Sequence, residues 1–67
     1  MLTRAVLKSY LLDMPRGHIF ELTDALLADV FPPGRSDAAA RSKLQALAEE
    51  CSCSIVEAKS RFELTRR

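Results

Sequence analysis

The chain has 67 residues, 48% of them hydrophobic and 28% charged, with a formal net charge of +1. That balance argues against a disordered tail, and no apolar run approaches the roughly 18 residues that a membrane span requires. A chain this short supports one domain, residues 1–67, and buries only about 60% of the surface its unfolded form exposes.

The opening Met1-Leu2-Thr3-Arg4-Ala5 lacks a long apolar core and a small-residue cleavage site. No secretory signal is read there, and a cytoplasmic location is expected. Leu2 to Met14 is predicted as the first helix. Thr3, Leu7, Tyr10, Leu11 and Met14 recur at three- and four-residue spacing on one side. Pro15-Arg16-Gly17 stops it, because proline cannot extend the helical ladder and glycine permits a sharp bend.

His18-Ile19-Phe20 then reads as a very short strand. Three residues cannot form a sheet alone, so they must pair with a later strand. His18 is the only histidine. It has no nucleophile or acid at a telling spacing, so an edge-strand role is expected rather than catalysis.

A second helix is predicted from Leu22 to Phe31. Leu22, Leu26 and Val30 form its expected core stripe, and Leu27 and Phe31 a second stripe about 100° away. Pro32-Pro33-Gly34 ends it. The third helix, Asp37 to Cys51, has the clearest signals. Ser36 is the expected N-cap, Asp37 suits the positive end of the dipole, and Ala38-Ala39-Ala40 are strong helix formers. Ala40, Leu44, Leu47, Ala48 and Cys51 form the inward stripe. Ala38, Ala39, Ser42, Gln45, Ala46 and Glu49 face outward, flanked by Arg41 and Lys43.

Cys53 to Arg66 reads as a β-hairpin. Cys53 and Ile55 alternate with Ser54 and Val56, and Phe62 and Leu64 alternate with Arg61, Glu63 and Thr65. A two-residue turn at Lys59-Ser60 sets Ile55 opposite Leu64 and Glu57 opposite Phe62. Arg66 and Arg67 lie past the last apolar position and are expected to be mobile. Cys51 and Cys53 are too close in sequence for an ordinary disulfide. With one distant histidine they make no four-ligand zinc set, so they are read as buried apolar side chains, and no metal or cofactor is expected.

This order, a helix, a short strand, two helices and a hairpin (α-β-α-α-β-β), resembles the winged helix-turn-helix superfamily. His18-Ile19-Phe20 looks like its first strand, Asp37–Cys51 like its recognition helix, and Lys59-Ser60-Arg61 like its wing tip. The resemblance implies an α+β domain with a three-helix core, and a third helix and wing that face double-stranded DNA. Two features depart from the pattern: the Pro32-Pro33-Gly34-Arg35 connection is longer than the tightest helix-turn-helix turn, and the wing is short.

On that reading the chain is a small transcriptional regulator. Small residues let the third helix enter a major groove roughly 12 Å wide, with Ser42 and Gln45 at base edges. Arg35, Arg41 and Lys43 would grip phosphates, and Lys59 and Arg61 the backbone beside the wing. The basic surplus lies in the same half. Arg35, Arg41, Lys43, Lys59, Arg61, Arg66 and Arg67 face five acids, whereas residues 1–34 carry one net negative charge. Leu12, Leu27 and Phe31 are the apolar residues expected to be surplus to one core, and so the candidate homodimer patch.

A second reading remains open: a protein-interaction module, such as a small phage or mobile-element inhibitor of a host complex. Near-neutral charge and an alanine-rich outer face suit it, and fold alone does not decide function. An enzyme is not expected. The chain has no phosphate-cradling glycine loop, metal-ligand cluster or nucleophile–base pair.

Overall fold

Thr3 starts the first helix by accepting the Val6 amide on its hydroxyl at 3.2 Å, so α1 runs Arg4–Asp13 in the computed structural model of residues 2–67. Met1, the first residue of the expected domain, lies outside the described residues. The helix is therefore shorter at both ends than Leu2–Met14. Thr3 serves as a cap rather than as part of the apolar stripe. Leu7 and Leu11 are buried and carry the packing face.

The strand β1 is five residues long, Ile19–Thr23, not three. His18 precedes it and is exposed. Leu22, expected in the second helix, belongs to this strand and is fully buried. Its period fits either element, and long-range pairing decides between them. Ile19, Phe20, Glu21, Leu22 and Thr23 lie opposite Thr65, Leu64, Glu63, Phe62 and Arg61 of the last strand.

Thr23 then caps α2, Asp24–Val30, accepting the Leu26 amide at 3.3 Å. The later start changes which residues face inward. Leu27 and Phe31 are buried, whereas Leu26 and Val30 only pack against the core from its margin. The second stripe is thus the core stripe. This also removes Leu27 and Phe31 from the expected homodimer patch. Of the three residues only Leu12 is exposed.

The seven residues between α2 and α3 fold back through Gly34, whose φ is +111°. The Asp37 amide donates to the Gly34 carbonyl at 3.0 Å. This turn leaves Asp37 as the last extended residue, so Asp37 rather than Ser36 caps α3, Ala38–Glu50, with Oδ1 accepting from the Ala39 amide. The inward stripe of Ala40, Leu44, Leu47, Ala48 and Cys51 is buried as expected. Ser52, at φ +58°, reverses the chain into the hairpin.

Cys53–Glu57 (β2) and Arg61–Arg66 (β3) pair antiparallel, with Ile55 opposite Leu64 and Glu57 opposite Phe62. The Ala58 amide donates to the Arg61 carbonyl at 2.8 Å and closes a two-residue Lys59-Ser60 turn. The sheet order is β1-β3-β2, so β3 is central. Its inward Phe62 and Leu64 pack with Leu22, Cys53 and the helices in one core.

Arg66 is not a loose end. It is the last residue of β3 and donates from Nη1 to the Leu11 carbonyl at 3.1 Å and the Cys51 carbonyl at 2.7 Å. It thereby ties the ends of α1 and α3 together and satisfies carbonyls that a helix terminus leaves without partners. The Arg67 amide donates to the Ser52 carbonyl at 3.0 Å.

Candidate nucleic-acid interface

The outward side of α3 is bare. Ala38, Ala39, Ser42, Gln45, Ala46 and Glu49 are all exposed, as are Arg41 and Lys43. The helix phase places the two cations on opposite flanks. Arg41 lines a groove of about 350 Å³ between α3 and β2, with Ala38, Ser42, Gln45, Ile55, Glu57 and Phe62. Lys43 lines a second hollow of about 480 Å³ on the other side, with Arg4, Val30, Phe31 and Ala46. Among the described residues neither cation forms an ion pair, and neither Ser42 nor Gln45 makes a side-chain hydrogen bond within the chain.

The other basic residues expected at the interface have different surroundings. Arg35 stands at the entry to α3 and reaches across to the wing. Its guanidinium pairs with Asp24 at 3.3 Å and Glu57 at 3.0 Å and donates to the carbonyls of Ala58 and Lys59. It also lies over the Phe62 ring, 5.1 Å from its centroid. Arg61 pairs with Glu63 at 3.2 Å and Glu21 at 3.9 Å on the outer face of the sheet. Lys59 is exposed at the tip, with no ion pair among the described residues. The tip is held in: the Asp24 amide donates to the Ser60 carbonyl at 3.1 Å. The wing therefore lies against α2 and Arg35 instead of projecting.

Sequence reasoning brought Arg41, Ser42 and Gln45 to one surface with Lys43 on its far flank. It missed Glu57 and Phe62 in the groove. The period-two pattern that placed Phe62 inward also points Glu57 inward, and that signal was readable. It missed the Arg66 clamp too, although Phe62, Leu64 and Arg66 share the same alternation.

The remaining groups of chemical interest are the two thiols. Cys51 and Cys53 are reduced and buried. Burial pushes both thiols up in pKa, so neither is a ready nucleophile. Among the described residues no group of three or more His, Cys, Asp or Glu could hold a metal ion, and no helix is long and apolar enough to cross a membrane.

Fold and surface together define a small α+β domain of three helices and a C-terminal hairpin, with the strand and helix order expected for a winged helix. Comparison with family models, curated proteins and solved structures finds no match to this chain.

Proposed function

We propose that this chain is a winged-helix protein that binds double-stranded DNA through α3 and acts as a small transcriptional regulator. The observation that carries the reading is the bare α3 face with a cation on each flank that has no ion pair among the described residues. In this account Ser42 and Gln45 meet base edges, while Arg41 and Lys43 straddle the groove and contact its phosphate walls. Lys59 at the wing tip supplies a third phosphate contact. Arg35 and Arg61 have a different task from the one their charge suggests: Arg35 holds the wing beside the entry to α3, and Arg61 ties β3 to β1 on the outer face of the sheet. Their carboxylate partners already neutralise them, which leaves little for phosphate.

A protein-binding module is the second reading. Glu57 in the groove and Glu49 on the helix face favour it, because both repel phosphate. Titration of a mixed-sequence DNA duplex at several salt concentrations separates the two. Three phosphate contacts give a slope of log affinity against log salt of about −3. Undetectable binding at about 50 mM salt, or binding that ignores salt, would overturn the DNA reading in favour of a protein partner.

A further inference from the structure

The strand β2 is outermost in the sheet, and its far edge is open. The Ala58 amide donates to the Arg61 carbonyl and the Arg67 amide to the Ser52 carbonyl, so the even-numbered residues of β2 bond to β3. Ladder bonds alternate along an antiparallel strand, and the backbone groups of Cys53, Ile55 and Glu57 therefore point the other way. The Cys53 carbonyl accepts from Arg67 Nη2 at 3.5 Å. Among the described residues the amides and carbonyls of Ile55 and Glu57 have no partner. Natural sheets blunt such an edge with lysine, proline or a bulge. Cys53-Ser54-Ile55-Val56-Glu57 carries none of these and pairs with β3 without a break in register.

The space beside this edge suits the side chains of a strand. The groove of about 350 Å³ between α3 and β2 has Ile55 and Phe62 as its apolar part and Arg41 on its α3 wall. Arg41 has no ion pair among the described residues, whereas the Glu57 carboxylate is held by Arg35 at 3.0 Å. The groove thus presents one unmatched positive charge beside a row of unmet backbone groups.

We propose that the β2 edge takes an extended segment of a partner protein as a fourth strand. The partner backbone pairs with Ile55 and Glu57. Its inward side chains, apolar and acidic, enter the α3–β2 groove, where a carboxylate meets Arg41. Backbone pairing supplies the affinity and the groove the selectivity. A second copy of the chain matches this site less well. It would bring another Arg41 to the same groove, and the one carboxylate on its β2, Glu57, is already held by Arg35. The inference goes beyond the DNA reading and does not depend on it, because the edge belongs to β2 and only the groove beside α3 is shared.

Backbone hydrogen exchange of the full chain without DNA, read by NMR, tests it, so its failure is distinct from failure of the DNA reading. The probe is a blocked synthetic peptide of about seven residues, with valine and glutamate on one face and threonine on the other. In the free chain the Ser54, Val56 and Ala58 amides should be protected and those of Ile55 and Glu57 should not. Millimolar peptide should slow exchange at Ile55 and Glu57 about 10-fold or more. A peptide N-methylated at the amides that face β2 should give no slowing. Lysine in place of glutamate should bind about 3-fold more weakly, the scale of an exposed ion pair. Arg41→Glu should invert that preference, and the exposure of Arg41 preserves the fold. No slowing up to about 10 mM peptide, equal binding of the N-methylated peptide, or an unchanged preference in Arg41→Glu would overturn the proposal. So would slowing that grows with protein concentration in the absence of peptide, which would make the occupant a second copy.

Discussion

Arg35 lies over Phe62, its guanidinium carbon 5.1 Å from the ring centroid, and the same guanidinium binds the wing carbonyls of Ala58 and Lys59. One side chain thus joins the entry of α3 to the tip of the hairpin. Its planar fork makes several hydrogen bonds at once while its face covers the ring, a combination that an ammonium cannot reproduce. Arg35→Ala should destabilise the fold, because it removes a stacked cation and its charge-assisted hydrogen bonds together. Arg35→Lys should recover less than half of that. Urea unfolding checks both, as a lower midpoint at unchanged slope.

Gly34 meets Ala28 where α2 and the following turn touch. A Cβ at Gly34 would stand 3.1 Å from the Ala28 Cβ and 3.3 Å from its Cα, in a backbone region that side chains rarely adopt. Gly34→Ala should therefore cost about 2 kcal/mol or more. Adding Ala28→Gly relieves the contact with the Ala28 Cβ but not the backbone strain. The double variant should remain less stable than the Ala28→Gly single variant, as measured by thermal unfolding.

Ser52 holds a left-handed conformation, φ +58°, just past the end of α3, without being glycine. That position commonly carries glycine because a Cβ is unfavourable there. Ser52→Gly should raise stability by about 0.5–1 kcal/mol and move the urea midpoint upward. A fall in the midpoint would mean that the serine side chain contributes more than its backbone costs.

Stability should decline at both ends of the pH range, for different groups. Lys8, through its hydrogen bond and charge, holds the Glu50 carboxyl below the ordinary range. A carboxyl lowered in the folded state adds stability above its unfolded pKa and loses it as pH falls through the folded value. Glu50→Gln should flatten the acid limb slightly, since the pair is exposed. Burial raises Cys51 and Cys53, so only the unfolded chain ionises them near about pH 8.5. Stability is kept below that range and declines above it, and Cys53→Ala should reduce the slope of the alkaline limb. Urea midpoints across pH check both limbs.

The hairpin was legible because both arms alternate, but Lys59-Ser60 is not a favoured turn pair, so its register could be read only to within a residue or two and the structure fixes the Ile55–Leu64 and Glu57–Phe62 pairs. The α3 face was legible for a similar reason: its inward stripe leaves only one outward side. The boundary between β1 and α2 was not. Leu22 fits a strand or a helix equally well by period, and only pairing with Phe62, forty residues later, assigns it to the strand. The exchange of Leu26 and Val30 for Leu27 and Phe31 followed from that boundary, because the start of a two-turn helix sets which side faces inward. Arg35 was readable as a cation but not as a tether. Its partners Glu57 and Ala58 lie 22 and 23 residues away, and no local pattern announces such a contact.

The most direct test of the central claim is the salt dependence of duplex binding for Arg41→Ala beside the natural chain. Arg41 has no ion pair among the described residues, so its removal should leave the fold intact. The DNA account predicts weaker binding on every sequence and a salt slope shallower by about 1. An unchanged slope, with binding otherwise intact, would contradict the placement of α3 on the phosphate walls.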